Sequence, residues 1–164
     1  MREFAKGSFT LDTAPRPLRL IYAAFLLLAS LGFASQLGVQ LGRIGITPTQ
    51  IAAYYRGSES GEVLTFAKPF GQLLEVFHAH AFMMAVIYLI LAHLFAATSS
   101  PPRFKAAVLT VTFAGMLGDL LAPWLVRYGA AGWAWLALAA WCAEGLGALV
   151  LVAVSGWECC RPRA

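Results

Sequence analysis

Apolar residues run through the chain in four long blocks that are separated by short polar stretches. The blocks cover about residues 18–41, 73–97, 104–126 and 131–155. Each block holds the roughly 20 apolar residues that a helix needs to cross a membrane. The pattern therefore predicts an all-α protein, a bundle of four antiparallel transmembrane helices that forms one integral membrane domain over residues 1–164 and contacts the lipid bilayer.

The composition narrows the class of protein. Hydrophobic residues make up 60% of the chain and charged residues 12%, which excludes an ordinary soluble domain. The net charge of +4 is small, so nucleic acid is disfavoured as a partner. The three cysteines form neither a C-x-x-C-H site for covalent haem nor a paired C-x-x-C framework for zinc. The polar start, residues 1–17, lacks the order of a signal peptide, and we expect it to stay attached.

The positive residues predict the orientation. Eight lie on the side of the two termini, and four lie on the other side in the loops 43–72 and 127–130. Because the cytoplasmic side of a membrane protein carries the excess of Lys and Arg, we expect both termini in the cytoplasm. The eight are Arg2, Lys6, Arg16, Arg19, Arg103, Lys105, Arg161 and Arg163, and the four are Arg43, Arg56, Lys68 and Arg127.

The first outer loop carries the signature of a short helix. Thr47 suits an N-cap, Pro48 the first helical position and Gln50 the capping box, and Gly57 suits a residue that ends a helix at Arg56. We expect a short amphipathic helix that lies on the membrane surface. A lid over an internal site and a docking surface remain the alternatives. Its apolar side holds Ile51, Tyr54 and Tyr55.

All three histidines lie in the second helix. His78 and His93 are fifteen residues apart, so they differ by about 60° in direction and about 22 Å in height. They share a face, near opposite membrane surfaces. His80 points about 160° away from His78. An ionisable side chain inside a membrane is costly, and its default interpretation is functional.

Imidazole binds iron, copper and zinc, and haem iron accepts axial histidine. With this spacing, the second helix resembles the ligand helix of the di-haem membrane cytochromes b. The resemblance implies haem b on His78 and His93, with His80 as the alternative outer ligand. No other helix has a histidine. The opposing ligands would come from a second copy in a homodimer or from another membrane subunit. Met116 is a third candidate for an opposing ligand, but it would reach the haem only if its helix were shifted.

Three carboxyl groups accompany the histidines. Glu75 lies three residues before His78 on its face, and Asp119 lies at about the depth of His80, so both are candidate hydrogen-bond acceptors for imidazole N–H groups. Glu144 lies near the middle of the membrane with no cation in its layer, and we expect a hydrogen bond to a neighbouring helix. A proton relay through Asp119 and Glu144 is the alternative to a role in helix packing.

Small residues predict close helix contacts in two places. The first helix has Gly38-x-x-x-Gly42 with Gly32 and Ser35, and the fourth has Gly145, Gly147 and Ala148.

Four segments together resemble a family of small bacterial four-helix inner-membrane proteins that carries no established activity. The resemblance implies a bacterial inner-membrane location and a redox-associated Glu-x-x-His-x-His helix. The segments are 46–57, 66–70, 75–80 and 122–128.

These features favour a small b-type haem-binding membrane protein or subunit in electron transfer. Quinone is a candidate partner, and we expect an electron carrier or accessory subunit rather than a stand-alone enzyme. One alternative is a non-enzymatic scaffold or assembly subunit of a larger respiratory or photosynthetic complex. Another is a protein that binds copper, or another transition metal, through His78, His80 and Met84.

Overall fold

The computed structural model describes residues 10–58 and 65–161. Within that part, four helices are long and apolar enough to cross a membrane, and no strand is formed. The predicted all-α fold with four spans is confirmed. The helices are α1 (Arg16–Val39), α2 (Pro48–Arg56), α3 (Phe70–Ala96), α4 (Pro102–Trp124) and α5 (Ala134–Cys160).

The first, third and fourth spans extend beyond their predicted ends, whereas the second ends at Ala96. A π-helical turn, Gln40–Ile44, continues α1, and a second one, Leu125–Gly129, continues α4. A 3-10 turn, Ala131–Trp133, precedes α5. Another 3-10 turn, Leu11–Thr13, precedes α1. The fourth span runs to Cys160, five residues beyond the predicted end.

The bundle has two distinct ends. One end, called the loop side here, carries α2 and the turn between α4 and α5. The other, the terminal side, carries the start of α1, the turn between α3 and α4, and the end of α5. Contacts at the terminal side close this end: Leu11 N–H donates to Ala97 O at 3.0 Å, and Arg19 Nε donates to Cys159 O at 2.6 Å. Residues 1–9 and Arg163, which enter the charge count, lie outside the described residues.

The central helix of the bundle is α5. It packs against α1, α2, α3 and α4, and its contact with α4 is by far the most extensive in the molecule. In the most apolar window of this span 33% of the residues are buried, against 6% in the first span. The first span is therefore peripheral and leaves nearly its whole surface to lipid or to a partner.

Small residues explain why α4 and α5 approach so closely. A β-carbon on Gly115 would lie 2.6 Å from the backbone nitrogen of Glu144, and one on Gly147 would lie 2.8 Å from the β-carbon of Thr112. The predicted close-approach role therefore holds for Gly147. Gly145 faces open space, as do Gly38 and the other glycines of the first-helix face, so that face has no neighbour among the described residues.

Two apolar clusters fill the interior, one in each half. The larger one lies towards the terminal side and is built around Leu91, Phe95 and Leu151, all of which are at most 1% exposed. The smaller one lies at the loop side and contains Ile51 from α2. Its other members are Ala122, Val126, Ala134 and Ala137.

The capping box of α2 forms as the sequence predicts. Gln50 N–H donates to Thr47 Oγ1 at 3.2 Å, and Gln50 Oε1 accepts from Thr47 N–H at 3.1 Å. The helix ends at Gly57, whose φ of 83° is open to glycine but strained for other residues. Its ψ of 163° is that of an extended backbone rather than of a left-handed helical one.

Helix α2, called the α2 lid below, is docked on the loop-side end of the bundle. Ile51 is 2% exposed, because it inserts between the loop-side ends of α4 and α5. Arg56 Nη1 donates to the carbonyl oxygens of Val126 and Gly129, each at 3.1 Å. The lid is therefore held by one apolar anchor and by a cation that satisfies the last carbonyl groups of the α4 span.

Candidate functional site

The exposed face of α3 carries two of the three histidines. His78 and His93 are both exposed, and neither is covered by α1, α4 or α5. The His78 ring contacts the ring of Phe82 edge-on at a centroid distance of 5.1 Å. His93 Nδ1 lies 2.8 Å from the carbonyl oxygen of Leu89, one turn earlier. The two imidazoles therefore stand on an outward surface, near opposite ends of the helix.

The contact with Leu89 determines which nitrogen of His93 is free. A carbonyl oxygen only accepts hydrogen bonds, so Nδ1 must be the donor. In the neutral ring the lone pair is then on Nε2, the nitrogen that points away from the backbone. A backbone carbonyl that holds one ring nitrogen in this way is the usual support of a metal-binding histidine.

His80 faces a different neighbour, as its helical angle predicts. It is half-buried, and its Nδ1 donates to Val76 O at 3.0 Å. Asp119 on α4 is close enough to interact with it electrostatically. The structure thus brings together His80 and Asp119, the predicted imidazole and carboxylate pair, and separates both from the exposed histidine face.

The other predicted ligands and supports are used differently. Glu75 is exposed and, among the described residues, forms no hydrogen bond with His78. Met84 and Met116 pack against the apolar cluster around Leu91, so both thioethers contribute to the core. In residues 10–58 and 65–161, no three His, Cys, Asp or Glu side chains lie together as a metal site.

A second polar arrangement lies inside the bundle. The Tyr88 hydroxyl donates a hydrogen bond to Glu144 Oε1 at 2.8 Å. Tyr88 is 1% exposed and Glu144 is 9% exposed. The sequence predicted a bond from Glu144 to a neighbouring helix, which is confirmed, but it did not identify Tyr88. The spacing gave no signal for it, because the eight residues from His80 to Tyr88 leave the two side chains about 80° apart around the helix.

Asp119 lies on α4 and is half-buried. Its charge interacts electrostatically with His80 on α3 and with Tyr55 on α2. Burial and, secondarily, the Asp119 charge raise the pKa of the Tyr55 phenol above its ordinary value. Pro123, four residues after Asp119, has no N–H, so the Asp119 carbonyl also lacks its helical donor.

A model of transmembrane helical domains, Aq_1264_TM, matches residues 45–164. The match covers α2, α3, α4 and α5, which include every candidate site residue, and it begins just after the first span. The chain belongs to the Aq_1264_TM family. No curated protein and no solved structure matches the chain. Membership of Aq_1264_TM agrees with the predicted membrane family.

Proposed function

We propose that the chain is a small b-type haem-binding membrane protein, or a subunit of a larger one, that takes part in electron transfer. His78 and His93 would be the axial ligands, one near each membrane surface. The observation that carries the proposal is the exposed α3 face with two histidines, one of which has its Nε2 left free by the bond to Leu89. When bound, a haem supplies an iron that carries one electron.

The surface between the two histidines suits a flat apolar group. Phe82 is 66% exposed and Leu89 is 55% exposed, and both lie on the histidine face with Ala85. A porphyrin that covers these side chains would be shielded from water. Because the side chains are apolar, no polar group on this surface would be desolvated. The resemblance of this helix to the ligand helix of the membrane cytochromes b supports the same assignment.

The opposing ligands would come from outside this chain, since α1, α4 and α5 contain no histidine. A twofold homodimer places the same face on both subunits, so that His78 meets its counterpart and His93 meets its counterpart. Another membrane subunit is the alternative. A quinol is a fitting electron donor, because it reaches such a face from within the bilayer.

Pigment analysis of detergent-purified protein tests the ligands. We expect the pyridine haemochrome spectrum of haem b in the wild type, and about half of the haem in His78→Ala and in His93→Ala. His80→Ala is the matched control and should keep the full amount, because His80 faces Asp119. A colourless wild type, or unchanged haem in both His78→Ala and His93→Ala, would refute the assignment.

The proposed location is the bacterial inner membrane, with the terminal side in the cytoplasm. The excess of positive residues on that side supports it. Cys160 is exposed at the end of α5 and offers a direct test in a variant that keeps it as the single cysteine. A membrane-impermeant maleimide should label it in inverted vesicles and not in intact spheroplasts. A cysteine in place of Phe66, which is 86% exposed on the loop side, should show the reverse.

A scaffold or assembly subunit is the second candidate function. The open face of α1 favours it, because Gly32, Gly38 and Gly42 have no neighbour within 4 Å of an added β-carbon. Small residues of this kind allow a partner helix to approach closely. On native gels of solubilised membranes, Gly38→Leu should release the chain from a larger complex, while Gly71→Leu, equally open on α3, should not.

Copper binding is the remaining proposal. It needs His78 and His80 together with Met84, whose side chain packs against the core in this structure. Metal analysis of the wild type and of His80→Ala would decide it. Copper that is bound by the wild type and unaffected by the substitution would exclude this site.

A further inference from the structure

A cleft opens at the loop side of the bundle, between the end of the first span, α2 and the segment that leads into α3. It has two adjoining parts, with volumes of about 310 and 520 Å³, which share Arg43, Tyr54 and Thr65 as lining residues. Both volumes fall in the range of roughly 300–1,000 Å³ that is typical of ligand pockets. No histidine of the described residues lines this loop-side cleft, so it is separate from the proposed haem site.

Hydrogen bonds fix both walls of the loop-side cleft. On one wall, Lys68 N–H donates to Tyr55 O at 3.0 Å, and Lys68 O accepts from Arg127 Nε at 2.8 Å. On the other wall, Gly45 N–H donates to Gln40 O and Gln40 Nε2 donates to Gly45 O, each at 2.8 Å. The cleft is therefore a formed part of the fold, and a ligand would enter it without first having to order these segments.

Two cations without an anionic partner line the cleft. Arg43 is exposed at the end of the first span and forms no hydrogen bond with the described residues, so the N–H groups of its guanidinium are open to a ligand. Lys68 Nζ lies 4.2 Å from the centroid of the Tyr54 ring, a contact that positions the ammonium group but does not neutralise it. No acidic residue of the described part of the chain lines the cleft, and Glu59 and Glu62 lie outside that part. The lining therefore suits an anion.

The start of α3 adds backbone donors to this cationic lining. The helix begins at Phe70, and its first hydrogen bond joins Leu73 N–H to Pro69 O at 3.2 Å. The N–H groups of Phe70, Gly71 and Gln72 consequently have no acceptor within the helix, and Pro69 provides no side-chain cap. Pro69 and Gln72 both line the cleft. The positive end of the helix dipole therefore acts on an anion in the cleft together with the two cations.

Apolar side chains border the cleft at the level of the membrane surface. The first span ends at Ile44 and the second begins at Phe70, so the cleft lies where lipid headgroups meet the hydrocarbon region. Leu41 and Phe66 line the cleft, and both are exposed. Exposed apolar groups beside cations favour a ligand that has an anionic head and apolar chains over a free inorganic anion.

We propose that the loop-side cleft binds the headgroup of an anionic phospholipid. Arg43 and Lys68 hold its phosphodiester group through charge-assisted hydrogen bonds, and the planar guanidinium of Arg43 can bind two phosphate oxygens at once. The acyl chains extend past Leu41 and Phe66 into the bilayer. Basic pockets between membrane helices recognise lipid headgroups by the same electrostatic principle.

A lipid bound in this way links parts of the chain that are otherwise loosely joined. Arg43 belongs to the first span, whereas Lys68 belongs to the segment before α3. The first span is the least buried of the four, with 6% of its most apolar window buried. A phosphate held by both cations therefore ties this peripheral span to the rest of the bundle. The site needs no haem and is independent of the proposed electron-transfer role.

Thermal unfolding of the detergent-purified protein with added lipid tests the ligand class. We expect phosphatidylglycerol to raise the unfolding midpoint as its concentration increases, because it binds the folded state. Phosphatidylcholine, whose choline offsets the phosphate charge, should raise the midpoint much less, and inorganic phosphate should not raise it. An equal rise with phosphatidylcholine or with inorganic phosphate would overturn the assignment to an anionic lipid, as would a wild type that does not respond to phosphatidylglycerol.

Variants without one charge test the location. In Arg43→Gln and in Lys68→Gln, the apparent Kd for phosphatidylglycerol should rise about tenfold, which corresponds to the loss of about 1.4 kcal/mol from a partly exposed charge-assisted hydrogen bond. Neither side chain forms a hydrogen bond with the described residues, so the fold should be preserved. Arg16→Gln is the matched control, because it removes the same charge from an exposed residue at the terminal side. An unchanged Kd in both cleft variants, or an equal rise in Arg16→Gln, would overturn the proposal.

The acidic residues of the chain itself are the alternative occupant of the cleft. Phosphatidylglycerol that binds only to the double variant Glu59→Gln, Glu62→Gln would assign the cleft to these carboxylates and would overturn the proposal. Binding to the wild type with the affinity of the double variant would support it. Neither outcome depends on whether haem is bound.

Discussion

Gly147 of α5 faces Thr112 of α4 so closely that a β-carbon at position 147 would lie 2.8 Å from the β-carbon of Thr112. Thr112 is fully buried, and its hydroxyl donates to Val108 O at 2.7 Å, so it has no free volume to move into. The contact joins the two most closely packed helices of the molecule. The whole register of α4 on α5 depends on glycine at this point.

Gly147→Leu should therefore destabilise the protein by several kcal/mol, because overpacking at this contact forces the two helices apart. The measurement is the thermal unfolding midpoint in detergent. Gly145→Leu is the matched control, as Gly145 lies two residues away on the same helix and faces open space. Equal melting temperatures for the two variants would contradict the assigned packing.

Arg56→Leu should loosen the α2 lid. The substitution removes the two hydrogen bonds to Val126 O and Gly129 O and leaves these carbonyl groups without their charged donor. A hydrogen bond to a charged group contributes about 1.5–3 kcal/mol, and less where it is exposed, so we expect a loss of about 1–2 kcal/mol. Hydrogen exchange of the α2 amides reports it. Arg43→Leu is the control and should leave the exchange unchanged, since Arg43 forms no hydrogen bond among the described residues. If the α2 amides of Arg56→Leu stay as protected from exchange as those of the wild type, the prediction is wrong.

The stability of the lid should depend on pH through Tyr55. Burial and the Asp119 charge raise the pKa of Tyr55 in the docked state above its ordinary value of 10.0. Docking therefore favours the protonated phenol: its contribution is fully present below pH 10 and is lost as the pH rises above that value. The wild type and Tyr55→Phe should show no difference in tyrosinate absorption near pH 10 in the folded state. In denaturant, the wild type should show more tyrosinate absorption near pH 10 than Tyr55→Phe.

Arg19 should hold the start of α1 to the end of α5. Its Nε donates to Cys159 O at 2.6 Å, and Nη2 donates to Arg161 O at 2.5 Å. Because α1 is otherwise so little buried, Arg19→Leu should cost about 1–2 kcal/mol after allowance for solvent. The unfolding midpoint and the accessibility of Cys159 to a maleimide measure it. The control is Arg16→Leu, and a similar loss in both variants would assign the effect to charge alone.

The sequence identified the features that depend on neighbours along the chain. Thr47, Pro48 and Gln50 define the start of α2 because a capping box involves only residues within one turn. The direction of His80 away from His78 follows from helical geometry alone. The spans were predicted because apolar length decides whether a helix can cross a membrane.

Two of the missed boundaries involve partners distant in the sequence. The fourth span extends past its predicted end, where Glu158 Oε1 accepts hydrogen bonds from the amide and the hydroxyl of Ser99. The third continues to Gly129, where Arg56 Nη1 donates hydrogen bonds to the last carbonyl groups of the span. A hydropathy scale counts each of these residues as polar, and it cannot detect the distant group that forms a hydrogen bond with it.

The sequence by itself determined the four membrane helices, the cap of α2 and the common face of His78 and His93, since each follows from local composition or from the pitch of one helix. Only the tertiary structure decided that α5 is central, that Ile51 of α2 packs against α4 and α5, and that Tyr88 bonds Glu144. The physical reason is that packing selects among faces of similar hydrophobicity: small-residue faces occur on both α1 and α5, and only the shape of the neighbouring helix, with Thr112 opposite Gly147, determines which one is used.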